Sequence, residues 1–351
     1  MANILDIRRR IRSVTNTRQI TKAMKMVSAA KLRRAQDRAL AARPYAQMLT
    51  NVLKSLVSRA EIYDPDTGQP RHLLLAQREE RNILLVIVTG DKGLAGAFNT
   101  NILRAAMRFL GSKAGKNVEM ETIGRKGRDF MRRRYPTAEP RVSSEAEEAV
   151  AEAGITIVGE QVGVLGKIEY EMAKKMAERV IERYSHCDID AVYLLFNEFK
   201  SVIAQRLVVE QVLPIEQIGE ETVRLTEEMT EKEREKAMEA AKGAGVGLRP
   251  ADTSEMDAAA AKFATAPVDY IYEQPPAELF NGLLPKYVGV QIFRALLESV
   301  AAEHAARMTA MDAATNNATD MIDSLTLAMN RVRQAKITKE IIEIVSGAAA
   351  L

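Results

Sequence analysis

The stretch of sequence that decides the fold runs from Pro285-Lys286-Tyr287-Val288 to Glu343-Ile344-Val345. It contains glycine only at Gly289 and is rich in Ala, Leu, Met, Glu, Arg and Ile, which favour helix. At about 1.5 Å per residue this helix would be roughly 90 Å long, so it must project from any compact domain. Its apolar positions recur in alternating steps of four and three residues, the heptad spacing of a left-handed coiled coil, at Leu283, Tyr287, Val290, Leu297, Ala301, Met308, Met311, Ala318, Ile322, Leu325, Met329 and Val332.

A second long amphipathic helix is predicted at the opposite end of the chain, over residues 3–60. Pro44 is expected to kink it without ending it, because the apolar pattern continues beyond the proline. Two long helices at the two termini bury their apolar faces most simply against each other, as an antiparallel coiled coil. The apolar positions of this helix are Ile4, Ile7, Ile11, Val14, Ile20, Met24, Val27, Leu32, Met48, Val52, Leu53 and Leu56.

Residues 82–215 follow a different pattern. The continuous apolar run over 82–88 is typical of a strand that is buried on both faces. Alternation of strands and helices predicts a small, Rossmann-like α/β domain with a mainly parallel sheet. Further strands are predicted at 118–123, 155–158, 190–196 and 202–212, and helices at 99–111, 125–134 and 165–184.

The segment over residues 216–266 is interpreted as an insertion that is mobile or loosely docked on the rest. Its charged part, 220–242, predicts a solvated helix with i,i+4 ion pairs, followed by a glycine hinge at 243–247. Residues 268–273 predict a short strand or extended segment. The predicted division of the chain is 1–60 for the first coiled-coil helix, 61–215 for the α/β domain, 216–266 for the insertion, 267–284 for a connector and 285–351 for the second coiled-coil helix.

Composition excludes several classes of protein. Lys and Arg number 50 and Asp and Glu 47, so the net charge is only +3, whereas a chain devoted to nucleic acid is usually more basic. A single cysteine, Cys187, excludes an intramolecular disulfide and indicates a reducing compartment. No run of about eighteen apolar residues predicts a membrane span. We expect no cleaved leader, because helical periodicity begins at Ile4.

Candidate catalytic patterns are weak. The glycines at positions 90, 93 and 96 follow the first strand, where backbone amides could hold a phosphate. Their spacing matches neither the dinucleotide nor the P-loop pattern, so a plain strand-to-helix turn is favoured. The three histidines (His72, His186 and His304) show no metal-ligand spacing, and His304 falls on the apolar seam of the long helix. We therefore predict no catalytic, cofactor or metal site.

The first helix is strongly basic between Met1 and Arg43, where twelve Lys and Arg residues are opposed only by Asp6 and Asp37. These cations could follow a phosphate backbone, which would make the chain a coiled-coil scaffold or a nucleic-acid-binding protein. They surround an apolar stripe, however, so they fit the charged face of a coiled coil or the surface for an acidic protein partner equally well. The residues alone leave this choice open.

Polar identities on both helices resemble a known family, the γ subunit of F-type ATP synthase. They are found in Thr17-Arg18-Gln19-Ile20-Thr21-Lys22-Ala23-Met24-Lys25-Met26-Val27 and in Arg333-Gln334-Ala335-Lys336-Ile337-Thr338. The turn Thr89-Gly90-Asp91-Lys92-Gly93-Leu94-Ala95-Gly96 is also similar to the family's first β-to-helix turn. The likeness covers nearly the whole chain except about residues 217–265. Chloroplast members carry an insertion at a similar place with a redox-active cysteine pair; this insertion has no cysteine, so that dithiol switch is excluded.

The resemblance implies a non-catalytic rotor subunit of a bacterial ATP synthase. The two terminal helices would form a shaft inside the α3β3 ring, and the α/β domain would form a foot on the ε subunit and the c-ring. Proton flow through the c-ring would turn the shaft, which transmits torque to the catalytic ring during ATP synthesis or hydrolysis. The chain would be peripheral, at the cytoplasmic face of the cell membrane, associated only through the Fo sector, and would bind no cofactor and no nucleic acid.

The resemblance also implies which residues bind partners. The candidates for contact and coupling with a β subunit are Met24, Arg307, Arg333, Gln334 and Thr338. The candidates for contact of the foot with the c-ring or ε are Tyr270, Tyr272 and Glu273.

Overall fold

Two helices dominate the computed structural model, which describes residues 4–57, 70, 72–138, 154–216, 218, 222–246 and 272–349. Helix α1 spans Ile4–Val57 and α6 spans Pro276–Ala349, with 54 and 74 residues. Pro44 lies within α1 and Pro285 within α6. The second helix thus begins earlier than the expected residue 285. Its first residue, Pro276, occupies the helix position at which a missing amide hydrogen costs nothing.

A six-stranded sheet with the order β3-β2-β1-β4-β5-β6 forms the α/β domain. Strands β1 to β4 are parallel, and β5 and β6 are antiparallel to their neighbours. The strands are β1 Asn82–Val88, β2 Asn117–Ile123, β3 Ile155–Gln161, β4 Ala191–Phe199, β5 Gln205–Leu213 and β6 Thr222–Glu228. The remaining helices are α2 Phe98–Ser112, α3 Arg125–Met131, α4 Tyr170–Ser185 and α5 Glu231–Ala244, with short 3-10 turns at Leu73–Leu75 and Val164–Gly166. The predicted fold class is confirmed.

The predicted charged helix over 220–242 is wrong in its first third. Residues 222–228 form β6, which pairs with β5 along its length. Helix α5 begins only at Glu231, after a capping box between Thr230 and Glu233. The charges of this segment suggested a solvated helix, but alternation over Thr222–Glu228 and the sheet edge offered by β5 favour a strand.

Helix α5 is not loosely docked either. Its alanine face, Ala237, Ala240 and Ala241, is buried. Gly243 lies inside the helix, and Gly245 ends it with a left-handed φ of 64°. The part of the predicted insertion over 247–265 lies outside the described residues, as do residues 268–271 of the predicted extended segment.

The two long helices belong to both apolar cores of the domain. The core on one sheet face contains Leu53 of α1 and Leu296 of α6, together with α4. The core on the other face contains Leu32 of α1 and Ala301 of α6, together with α2 and α5. The helix pair therefore passes from one face of the sheet to the other before it leaves the domain.

Candidate functional site: the shaft and its root

The helix pair beyond the sheet, residues 4–35 of α1 and 301–349 of α6, is called the shaft. Two polar contacts set its register: Lys25 Nζ lies 2.5 Å from Asp312 Oδ1, and Thr315 Oγ1 donates to Thr21 Oγ1 at 2.8 Å. From Lys25 to Thr21 the residue number decreases along α1, while that of the contacted residue increases along α6, from Asp312 to Thr315. The two helices are therefore antiparallel, as predicted. The Lys25 and Asp312 side chains are only 11% and 15% exposed, which makes this ion pair part of the seam.

Helix α6 continues past the start of α1. The register of the two polar contacts places Ile4 level with about residue 333, so the last turns of α6 have no α1 residue beside them. At about 1.5 Å per residue this overhang is roughly 24 Å long. Five large apolar side chains on it are between 48% and 71% exposed: Ile337, Ile341, Ile342, Ile344 and Val345. An apolar surface of this kind marks a site of contact with another protein.

The end of the shaft nearest the sheet, around residues 301–307 of α6, is called its root. The root fills the crevice of the Rossmann-like domain. In such sheets a ligand binds outside the carboxyl end of the strand where the strand order reverses, which here is β1, between β2 and β4. The Glu303 carboxylate of α6 lies there, and a Cβ added at Gly90 would be 2.8 Å from its Oε1. The Gly90 amide donates to Asn99 Oδ1 at 2.8 Å. The glycine turn therefore receives the chain's own helix rather than presenting an open phosphate cradle.

Arg307 completes this junction. Its guanidinium forms a short ion pair with Glu303 and donates to the Gly93 carbonyl oxygen at 3.4 Å. Both side chains are about nine-tenths buried. A buried ion pair is costly to desolvate unless further polar groups satisfy it, and the turn carbonyl supplies one. The junction fixes how α6 sits on the domain.

His304 lies beside this ion pair. Burial, with a further contribution from the positive charges of Arg307 and Lys31, lowers the pKa of His304 to about 4. Arg307 Nη1 is 3.3 Å from His304 Nδ1, and a neutral ring accepts this hydrogen bond. The folded chain therefore keeps His304 uncharged at neutral pH.

His304→Gln is expected to make folding less sensitive to acid. The unfolded ring protonates below its ordinary pKa of 6.5, while the folded ring resists until about 4, so His304 removes stability as pH falls between these values. Between pH 7 and pH 5 the loss is about 2 kcal/mol, which the variant would not show. Urea unfolding at both pH values measures it. His186→Gln, at an exposed position, is the matched control; an equal loss in both variants would contradict the assignment.

The structure separates the predicted partner-binding residues into three places. Arg333, Gln334 and Thr338 are exposed together at the level where α1 begins. Arg307 is buried at the root, about 26 residues or roughly 40 Å below them. Met24 is half-buried on α1, next to the Lys25 that contacts Asp312. These residues form a line along the shaft rather than one cluster.

The predicted foot residues differ in exposure. Tyr272 is half-buried against the core that contains Leu53 and Leu296, and its hydroxyl donates to Ser55 Oγ at 2.9 Å. Glu273 is exposed beside it. Tyr270 lies outside the described residues. Sequence reasoning missed Glu303 and Asp312, although Glu303 stands four residues before Arg307 on a predicted helix, a spacing that signals an ion pair.

The described residues contain no group of three or more His, Cys, Asp or Glu side chains placed to hold a metal ion. Among the helices that the structure describes, none has a stretch long and apolar enough to cross a bilayer.

Chains in two solved mitochondrial ATP synthase structures share this fold. The chain aligns with a chain in the Euglena gracilis mitochondrial ATP synthase rotor at a TM-score of 0.53 and 18% identity, over 95% of this chain and 98% of that one. A second Euglena gracilis structure, comprising OSCP, F1 and c-ring, gives a TM-score of 0.53 and 19% identity over 99% and 94% of the two chains. The helix pair and the α/β domain therefore have the fold of a chain found in these ATP synthase assemblies.

Sequence comparison gives the family. The family model described as ATP synthase matches residues 3–351. The ATP synthase gamma chain of Solibacter usitatus is 49% identical over 100% of this chain and 99% of its own length. That of Anaeromyxobacter sp. is 43% identical over the full length of both. The chain belongs to the ATP synthase gamma-chain family, which confirms the predicted resemblance, and as such it is a non-catalytic subunit.

Proposed function

We propose that this chain is the rotor of a bacterial ATP synthase, which carries torque between a c-ring and an α3β3 catalytic ring. The observation that carries the proposal is the overhang of α6, a single helix with exposed Ile and Val side chains and no α1 residue alongside. An apolar, slender tip suits an axle end that turns inside a sleeve of other subunits. The foot would rest on the ε subunit and the c-ring, at the cytoplasmic face of the cell membrane.

Rotation can be observed directly, because Cys187 is the sole cysteine and is exposed on the foot. The chain is co-expressed with the α, β and ε subunits of its own complex, Cys187 is biotinylated, and a bead is attached. We expect co-purification with all three and stepwise, one-directional rotation that requires ATP. A complex that forms but whose bead shows only undirected motion with ATP would overturn the proposal.

The basic first helix supplies the test of the alternative function. If the chain were a nucleic-acid-binding protein, it would bind duplex DNA tightly and lose affinity steeply with salt. One of its cations, Lys25, is engaged within the chain by its ion pair with Asp312. We expect only weak binding at physiological salt, with the shaft already paired.

Replacement of Arg333 and Gln334 by Ala together is expected to lower ATP-driven proton pumping several-fold. Both side chains are exposed at the level of the α1 start, where a β subunit would reach the shaft and form hydrogen bonds to them. Pumping by reconstituted enzyme is compared with Arg331→Ala, an exposed residue on the same helix. Equal pumping by the double variant and the control would refute the role of Arg333 and Gln334.

A further inference from the structure

Torque passes between foot and shaft mainly through α6, which packs against β4, β5, α2, α4 and α5, whereas α1 contacts chiefly α6 and α5. Many of these contacts are small and apolar, through buried Ala295, Ala301, Ala302 and Ala305. Apolar contact is non-directional, and alanine side chains present a smooth surface, so these contacts resist rotation of the helix about its axis only weakly. Resistance to such a twist requires groups that hold one orientation.

One such group is Arg294, on the part of α6 that packs against the first sheet face. Its Nη2 lies 3.0 Å and 2.7 Å from the two carboxylate oxygens of Glu210 on β5. The Glu210 side chain is 5% exposed. A charge-assisted contact of this geometry is directional, and it ties α6 to the middle of a strand rather than to a loop.

The second group is the Glu303–Arg307 pair at the glycine turn. Glu303 approaches Gly90 so closely that a Cβ there would lie 2.8 Å from Oε1, and Arg307 reaches the Gly93 carbonyl. This contact lies at the carboxyl end of β1, among the residues of the second core. The ion pair itself lies within α6, and its directional link to the domain is the buried hydrogen bond from Arg307 to the Gly93 carbonyl.

The two contacts grip the helix from opposite sides. Nine residues separate Arg294 from Glu303, and at about 3.6 residues per turn this is two and a half turns, so the side chains leave α6 in opposite directions. Along the axis they are roughly 13 Å apart. A pair of directional contacts on opposite sides of a rod resists rotation about the rod's axis, whereas two contacts on one side leave it freer to roll.

We propose that these two buried contacts, Arg294 with Glu210 and Glu303 with Arg307 at the glycine turn, form the torsional key that locks the shaft to the foot. Their residues are positioning residues for torque transfer, and the proposal rests on the rotor function proposed above. In this proposal the charges, rather than apolar packing, resist rotation of α6 relative to the α/β domain. Removal of the charges at similar side-chain size should therefore increase this rotation without unfolding the chain.

The test measures twist in the assembled complex. The α3β3 ring is fixed and stalled with a non-hydrolysable ATP analogue, and the angular fluctuation of a bead at Cys187 is recorded. Two double variants are compared, E210Q/R294M and E303Q/R307M; each removes both charges of a pair, which is usually tolerated where removal of one is not. We expect the angular variance to rise at least two-fold in each and proton pumping per ATP to fall. For E210Q/R294M, whose residues have no predicted role in binding a β subunit, the rate of unloaded ATP hydrolysis should stay within two-fold of the original.

The control variant is K174M/E178Q, which removes an exposed ion pair on α4 with the same i,i+4 spacing as Glu303 and Arg307. It should leave the angular variance unchanged. If E210Q/R294M does not assemble, the swapped pair E210R/R294E keeps both charges and should assemble with restored stiffness. Variance equal to the control in the double variants, or a swapped pair as loose as the uncharged one, would overturn the key. An original complex that does not rotate at all would instead refute the rotor function.

Discussion

Gly124→Ala is expected to lower the free energy of unfolding by about 3 kcal/mol or more, because it combines backbone strain with a steric clash. Gly124 joins β2 to α3 with φ of 97° and ψ of 142°, a conformation that side chains with a Cβ rarely adopt. A Cβ there would also lie 2.0 Å from the Thr89 carbonyl oxygen, a distance that forces the backbone to move. Neither problem is relieved by a change of rotamer.

The damage would spread to the root of the shaft. Thr89 Oγ1 donates to the Ile123 carbonyl at 3.0 Å and accepts from the Gly127 amide at 2.8 Å, so it ties the end of β1 to α3. Thr89 directly precedes Gly90, against which Glu303 packs. A shift of this backbone therefore displaces the turn that receives α6.

Gly115→Ala separates the two causes. Gly115 also has a positive φ, 88°, but a Cβ there would meet nothing within 4 Å, so only conformational strain is added. We expect this control to cost about 1 kcal/mol and Gly124→Ala to lower the melting temperature by a further 4–8 °C or so, measured on the full chain. Equal shifts would show that the close approach to Thr89 contributes nothing.

The sequence predicted those helices and strands whose pattern of apolar residues lies within the element itself. The heptad spacing of α6 and the apolar run of β1 each reflect the burial of a single element, and both are confirmed. The structure of 222–246 was predicted poorly because its environment is distant in sequence. Thr222–Glu228 becomes a strand since β5 offers an edge, and the alanines of α5 are buried since the shaft passes beside them.

The residues of the candidate site also fall into a group that the sequence suggested and a group that it did not. Exposed residues such as Arg333 and Gln334 could be suggested from family likeness, which requires no knowledge of packing. The root could not, because Glu303 and Gly90 are more than two hundred residues apart, and Arg294 meets Glu210 across 84. These groups meet only because α6 crosses the sheet. The apolar pattern of α6 predicts a helix but does not specify which residues of the sheet that helix contacts.

Ala240→Glu is expected to release α5 from the shaft. Ala240 is fully buried in the core that contains Leu32 of α1 and Ala301 of α6, and α5 contacts both long helices. A carboxylate placed there would be desolvated without a partner, which costs several kcal/mol, more than a 14-residue helix gains by docking through alanines. Because an isolated helix of this length is marginal in water, α5 should also lose helical structure.

Hydrogen exchange locates the effect. We expect the α5 amides to lose at least ten-fold of their protection. Strands β1, β2 and β4 should keep theirs, since they also pack into the core on the other sheet face, which contains no residue of α5. The C-terminal end of α5 receives Arg33, which bonds to the Gly245 carbonyl, and Lys25 lies beside Gly243, so shaft amides near these cations should loosen as well. Their release would show that α5 is a third helix bracing the shaft at its root.

Lys236→Glu is the matched control, because it places the same side chain on the exposed face of the same helix. It removes a positive charge and adds a negative one, yet it should leave α5 protected, since an exposed carboxylate stays in water. If both variants lose protection equally, charge on α5 and not burial decides its docking. If neither does, α5 is held by β6 and its connection alone, and the shaft gains no support from it.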